Sequence, residues 1–340
     1  MKTSMESKPV NSIKIAESTT KEPRSTQTPT FSVMTPVYNG EAFIHRCYGV
    51  LREQTFTDWE WVVVDDGSTD GTAEIVRLID DDRIRLISYP ENQGRGYART
   101  EALKACRGDW VVLWDADDIY FPDRLERIEA ARKQDYDYYC SYAVVVDNTL
   151  RIKGVRGFLP ASGILPRFFV HSTLACPVEL AREIGYDIFR EKGGPGEDFR
   201  IVMTLGGHYN GFYDNDASAV YQEDREVNLQ KSIDTNKAQK RALRMLYHEG
   251  ILPQRPWGLF ALMVRRSIKI TILHLMRIAP GLYLRTVKLR AYGDTAPGFQ
   301  LSQQRREFID WVHRTDFSES IQQPQACPLV FPTTPLRKAN

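Results

Sequence analysis

Along this chain, apolar runs repeatedly end in acid. Trp110-Val111-Val112-Leu113-Trp114 is unbroken and reads as a buried strand, yet it stops in Asp115-Ala116-Asp117-Asp118. Trp61-Val62-Val63-Val64 likewise runs into Asp65-Asp66-Gly67-Ser68-Thr69-Asp70-Gly71. Between such runs the apolar residues recur at helical spacing. From Gly40 to Gln54, Phe43, Cys47, Val50, Leu51 and Gln54 fall near one face; from a cap at Asp70 to Ile79, Ala73, Ile75, Val76 and Ile79 point inward. Further strands are expected over 31–35, 83–88 and 136–146, and further helices over 94–106 and 122–133, the last with Pro122 in its first turn. This alternation predicts βαβ units and a mostly parallel sheet with helices on its faces. Beyond residue 146 the pattern mixes, with helices expected over 175–185 and 198–205 and extended chain over 209–220.

Clustered carboxylates at a strand end repel each other and must be hydrated or neutralised. A hard divalent cation with a phosphate-bearing substrate on its other side would do this. Two acid-tipped strands from separate places imply one pocket at the carboxyl edge of the sheet, where open α/β sheets bind ligands.

Composition narrows the class. The chain has 340 residues, 42% of them apolar, enough for one large core or two ordinary ones. Its net charge of +1 gives no overall field for nucleic acid. Cys47, Cys106, Cys140, Cys176 and Cys327 form no CxxC pair, so reduced thiols in a cytoplasmic protein are expected rather than a disulfide framework or zinc ribbon. Residues 1–29 are polar, read as disordered, and lack the apolar centre of a secretory signal; the Pro- and Gln-rich stretch 318–340 reads as a mobile tail. No uncharged apolar window reaches the roughly eighteen residues of a membrane-spanning helix.

Taken in order, Met34-Thr35-Pro36-Val37-Tyr38-Asn39, Val64-Asp65-Asp66-Gly67-Ser68-Thr69-Asp70-Gly71-Thr72, Asn92-Gln93-Gly94-Arg95-Gly96-Tyr97-Ala98-Arg99, Asp115-Ala116-Asp117-Asp118 and Gly196-Glu197-Asp198 resemble the motif series of family 2 glycosyltransferases with the GT-A fold. The resemblance covers roughly residues 30 to 225. It implies a Rossmann-like, mostly parallel sheet with a nucleotide-binding half over 30–118 and an acceptor half over 119–225; beyond it the sequence itself predicts a basic amphipathic helical extension over 226–317. It also implies transfer of a sugar from a nucleotide-diphosphate donor, with UDP-sugars foremost, to a hydroxyl of a glycan or lipid-linked acceptor, with inversion at the anomeric carbon.

By the same resemblance, Thr35, Pro36 and Tyr38 line the nucleotide pocket, with the Tyr38 ring offered to a flat base. Asp66 reads the base by accepting from its N–H, while Asp65 caps local backbone. Arg99 faces the nucleotide, and Arg95 is a weaker candidate. Asp115 and Ala116 meet the ribose side, Asp117 with Asp115 holds Mg²⁺ or Mn²⁺, and Asp118 stands behind them. Asp198 deprotonates the acceptor, and Ser68, Thr69 and Gly71 serve the turn. A flexible approach loop is expected at 193–196. His171 and His208 read as structural more readily than as acceptor contacts. The Gln-x-x-Arg-Trp motif of processive synthases is absent, which implies single-sugar transfer, and the stretch Tyr221-Gln222-Glu223-Asp224-Arg225 lacks the histidine some members carry there. The rivals are a sugar-phosphate nucleotidyltransferase, which the missing Gly-rich, Arg-containing loop at 31–40 disfavours, and a silent nucleotide-sugar-binding scaffold, which the retained acids disfavour.

From Gly250 to Gly293 there is no acid, and Arg255, Arg265, Arg266, Lys269, Arg277, Arg285, Lys288 and Arg290 are interleaved with apolar residues. The segment reads in two ways: cationic amphipathic helices on an anionic membrane face, the inner face of the plasma membrane, or helices packed in a core or homodimer.

Overall fold

A computed structural model describes residues 19–21, 27–147, 149–159, 161–162, 165–186, 197–222, 229–276, 299–318, 327–331 and 336. The approach loop at 193–196, residues 223–225, most of 1–29, the basic residues beyond 276 and most of the tail lie outside them.

In chain order the first half is β1 (Thr19–Lys21), β2 (Phe31–Val37), α1 (Glu41–Arg52), β3 (Trp59–Asp65), α2 (Thr72–Leu78), β4 (Ile84–Ser88), α3 (Arg95–Ala105) and β5 (Trp110–Leu113). The second half is β6 (Ile119–Tyr120), α4 (Arg124–Arg132), β7 (Tyr138–Val146), β8 (Ile152–Arg156), β9 (Ala175–Pro177), α5 (Val178–Ile184), α6 (Phe199–His208) and β10 (Gly211–Gln222). Then come α7 (Leu229–His248), α8 (Pro256–Leu275) and α9 (Gln303–Arg314).

The strands form one sheet in the order β1-β4-β3-β2-β5-β9-β7-β10-β6, with β8 paired to β7. β4, β3, β2 and β5 are parallel. All seven residues of β3 are buried, so the strand shows no alternation; helices cover both of its faces, as parallel sheets require. Of its two indoles, Trp61 donates through Nε1 to Thr35 Oγ1 at 2.8 Å, whereas the buried Trp59 Nε1 has no hydrogen-bond partner.

The sheet is more mixed than the pattern predicts. β9 runs antiparallel between β5 and β7, and β6 antiparallel to β10. Residues 175–177, expected to open a helix, instead bridge the two halves of the sheet, and α5 starts only at Val178. β1 pairs antiparallel with β4 at the edge, inside the stretch read as disordered. Its side chains are polar, so only backbone pairing reveals it.

α9 departs from the expected single extension over 226–317. It lies against the sheet domain, with Phe308 fully buried 5.5 Å from the Phe121 ring. Arg305 is 3% exposed, stacks 4.3 Å over Phe121, and bonds Asp123 at 2.8 Å and Asp216 at 2.9 Å. Arg127 extends the network to Asp214 at 2.7 Å. Removing one partner of a buried ion pair strands the other charge. Arg305→Met should therefore lower unfolding stability by roughly 3 kcal/mol, read as a reduced urea midpoint with an unchanged slope. An unchanged midpoint would show that α9 contributes nothing to the core.

Candidate active site

Register sets the site. Val37 is level with Asp65, and Met34 with Leu113, so the carboxyl ends of β3, β2 and β5 lie side by side. Sheet order reverses there: the chain steps outward from β2 through β3 to β4, and β5 then returns to the other flank of β2. A crevice opens at such a switch point. The loops beyond the strands are tied together. Asn39 donates its N–H to Ser68 Oγ at 2.8 Å and accepts from Thr69 N–H at 2.9 Å. Glu41 N–H donates to Asp70 at 3.1 Å, and Gly71 N–H to Glu41 at 2.9 Å, linking the starts of α1 and α2.

The adjacent acids at the end of β3, Asp65 and Asp66, both hold backbone. Asp65 accepts from Ser68 N–H at 3.0 Å and from the Ser88 hydroxyl at 2.6 Å. Asp66, expected to present its carboxylate to a base, has one oxygen on the Gln93 N–H and the other on the Gly94 N–H, each at 2.8 Å. Burial pushes this carboxyl upward, and those two bonds oppose the push. Each oxygen retains a lone pair, so a ligand donor would join these bonds rather than replace them. Gly67 makes the approach possible: its φ is +72°, and a Cβ there would collide with the backbone of Glu91 and Asn92.

Thr35 departs from the expected nucleotide lining. It has no exposed surface and its hydroxyl is taken by Trp61, because alternation along β2 turns it into the core. Pro36 is half-buried, and Tyr38, just past the strand, is 48% exposed.

Asp115 follows β5 and donates its N–H to Tyr120 Oη at 2.8 Å. Ala116 is buried and Asp117 exposed. The Asp117 carbonyl accepts from Arg46 Nη2 at 3.0 Å, which also reaches Gln222 at 3.2 Å. Desolvation on its inner side and the neighbouring charge of Asp115 raise the Asp117 carboxyl. Asp118 is buried with Oδ2 unpartnered, and burial with the charges of Asp117 and Asp115 pushes it well above the carboxylate range.

Arg99 connects this loop to the far half of the chain. It is 6% exposed, donates through Nη2 to Asp115 at 3.1 Å, and bonds Glu197 through Nη1. Burial alone would lower the guanidinium; Asp115 and Glu197 more than offset it, so it stays charged. Arg95 lies 3.5 Å from the same Glu197 oxygen. Behind Arg99 stands Tyr186, its ring 5.8 Å away, which bonds His171 Nε2 at 3.0 Å. Burial and the two arginines hold His171 well below its usual value, so it is neutral and structural. His208 caps the Ile251 carbonyl at 3.0 Å on the outside.

Asp198 begins α6 but makes no side-chain cap bond. Burial, then the charge of Glu197, raises its carboxyl to about 6, against the pull of Arg99 and Arg95. The acid pair at the start of α6 is therefore split: Glu197 is fixed by arginine, and Asp198 is held at a proton affinity suited to exchange near neutrality. Arg46 and Tyr186 escaped the sequence reading, because each lies in an ordinary helix or loop and only the fold brings it to the acids.

Among the described residues no three His, Cys, Asp or Glu side chains are grouped to hold an ion by themselves. The donor set does fit a hard divalent cation that keeps waters and phosphate oxygens as its other ligands. Asp117 is exposed and repelled by Asp115, a repulsion that Arg46 and Arg99 offset only in part, and both acids offer oxygen.

Parallel strands with acids at their switch point, joined to a second half carrying another acid pair, are the arrangement of a GT-A domain. Residues 32–177 match the model of glycosyl transferase family 2. The chain is similar to the UDP-Glc:alpha-D-GlcNAc-diphosphoundecaprenol beta-1,3-glucosyltransferase WfgD of Escherichia coli, 32% identical over 121 residues, 35% of this chain and 48% of that one. It spans about two-fifths of the length of the curated relatives it matches. The same fold occurs in S. aureus TarS 1–349 in complex with UDP, with a TM-score of 0.55 and 19% identity over 91% of this chain and 96% of that one. It also occurs in the mannosyltransferase PcManGT from Pyrobaculum calidifontis in complex with GDP-Man and Mn²⁺, with a TM-score of 0.51 and 18% identity over 85% and 86%.

Proposed function

We propose that the protein is a metal-dependent, inverting, non-processive glycosyltransferase. It moves one sugar from a nucleotide-diphosphate donor, a UDP-sugar foremost, to a hydroxyl of a glycan or lipid-linked acceptor at the cytoplasmic side of polysaccharide assembly. One observation carries the reading: Arg99 ties Asp115 at the end of β5 to Glu197, so Asp198 stands beside the acids that would receive the donor.

In this reading Tyr38 offers a ring to the base and Asp66 a lone pair to its N–H. Asp117 and Asp115 would hold Mg²⁺ or Mn²⁺, which supplies Lewis-acid stabilisation of the leaving diphosphate. Arg99 fixes Asp115 and Glu197 in one arrangement, and its charge faces the region where the diphosphate would leave. Asp198 takes the proton of the acceptor hydroxyl as that oxygen attacks the anomeric carbon from the face opposite the diphosphate. Fixing Glu197 on Arg99 leaves Asp198 as the acid of the pair that is available to exchange a proton.

Thermal shift with a panel of nucleotide-sugars, with and without Mn²⁺, tests the reading. Ligand at about a hundred times its Kd stabilises the folded state by roughly 2.7 kcal/mol, and a UDP-sugar with Mn²⁺ should give the largest shift. No shift with any nucleotide would overturn it, as would release of pyrophosphate from nucleoside triphosphate, which marks a nucleotidyltransferase. A shift with neither transfer nor hydrolysis would mark a scaffold. Asp66→Ala should weaken UDP binding even without metal, because it removes the base acceptor and frees the turn at Gln93 and Gly94. Metal-free affinity equal to the parent's in equilibrium titration would remove Asp66 from the nucleotide site.

A further inference from the structure

α7 and α8 form an antiparallel hairpin, and α8 buries only one side of itself. Met263 and Leu273 face inward, Arg266 bonds Asn236 of α7 at 3.0 Å, and Lys240 bonds Ser267 at 2.6 Å. The opposite side is apolar and open. Trp257 is 83% exposed, Phe260 59%, Ile268 55% and Leu275 61%, with Val264 and Ile272 exposed between them. Successive members are three or four residues apart, so they make one continuous stripe along the helix. No helix among the described residues is long and apolar enough to cross a membrane.

Cations border the stripe. Arg265 is exposed along one margin; on the other, Arg244 and Lys240 line a cavity of about 470 Å³ shared with Phe260, Val264 and Ile268. From residue 235 to 276 the chain carries eight lysines and arginines and one acid, Glu249, which is ion-paired to Arg200 at 2.7 Å. A second copy of this face would bring like charges together around the stripe. An anionic lipid surface instead accepts both the apolar side chains and the border of charge, and a nearly bare Trp at one end of the stripe suits the headgroup boundary.

We propose that the outer face of α8 docks in the interface of an anionic membrane, lying in its plane, with Arg265, Arg244 and Arg255 on the headgroups. This would hold the domain at a lipid surface whatever its reaction is, so its test reads binding and not transfer.

Co-sedimentation of the full chain with phosphatidylglycerol-containing vesicles and with pure phosphatidylcholine vesicles is the experiment. The protein should pellet with the anionic vesicles, several-fold more than with the neutral ones. Binding should fall as salt is raised, because exposed charges are screened beyond about 8–10 Å at physiological ionic strength. Phe260→Ser with Ile268→Ser should abolish pelleting, and Arg265→Glu with Arg244→Glu should reduce it at least tenfold; all four positions are surface sites, so the UDP thermal shift serves as the folding control. Equal absence from both pellets would overturn the proposal. A concentration-dependent dimer in sedimentation velocity that the Phe260→Ser, Ile268→Ser pair dissolves, with no vesicle binding, would overturn it in favour of a second copy. Capture of an acidic protein through the same residues, again without vesicle binding, would overturn it in favour of a protein partner.

Discussion

Asp198→Asn is expected to lower sugar transfer by roughly 10²–10⁴-fold, the usual contribution of a positioned general base, while donor affinity stays within about twofold of the parent. The amide keeps the shape at the start of α6 and cannot take the acceptor proton. The pH profile sharpens the test. Asp198 is raised to about 6, so it is a working base above that pH and protonated below it. kcat/KM should fall about tenfold per pH unit below 6 in the parent, and this acid limb should vanish in Asp198→Asn. Persistence of the limb in the variant, with near-parental turnover, would move the base to Glu197. Stability should change in the opposite sense. A carboxyl whose folded value lies above its unfolded one binds protons more tightly when folded, so stability falls as pH rises from about 4 to about 6 and the loss is constant above that. Discounted for partial exposure, removing that charge should stabilise the variant at neutral pH by on the order of 1 kcal/mol. Activity and stability moving in opposite directions would separate a working base from a packing residue.

The first half of the fold was legible because its physics is local and repeated. Val-rich strands end at Asp65 and before Asp115, helical faces lie between them, and β2, β3, β4 and β5 fall within a few residues of where the apolar pattern places them. The second half was legible as elements but not as topology. β9 is three residues long, is absorbed in a helical pattern, and is a strand only because β5 and β7 leave a gap for it. α9 looked like part of a basic extension, since its sequence carries Arg305, Arg306 and Arg314; only the distant Asp123 and Asp216 turn Arg305 into a core residue. In the site, spacing singled out the acids but could not show which oxygens were already spent. Asp66 is bound to a turn 27 residues away, Thr35 to Trp61, and Arg99 to an acid 98 residues on. The Thr35 hydroxyl is therefore not free for a ligand, and Arg99 joins two halves of the site as well as bringing charge to it.

Asp117→Ala should abolish metal-dependent nucleotide binding. Its carboxylate is the exposed member of the acid run after β5, whereas Asp115 is already engaged by Arg99 and Asp118 is buried. Without it an ion would keep at most a shared oxygen of Asp115. Lewis-acid contacts are worth several kcal/mol, so affinity for UDP with Mn²⁺ should fall by on the order of 100-fold or more. Affinity for UDP without metal should hardly move, because Tyr38 and Asp66 are untouched. The loop should also survive the change: Arg46 holds residue 117 through its backbone carbonyl at 3.0 Å, and the Asp118 N–H donates to the Asp115 carbonyl at 3.2 Å, both independent of the lost side chain. Removing a carboxylate that repels Asp115 and Asp118 should leave the melting temperature equal or higher, so weaker binding cannot be ascribed to unfolding. Calorimetric titration of UDP with and without Mn²⁺, on parent and variant, reads both terms. If Asp117→Ala bound UDP with Mn²⁺ as tightly as the parent, the ion would be held elsewhere or not at all, and the charge on the leaving diphosphate would fall to side chains such as Arg99.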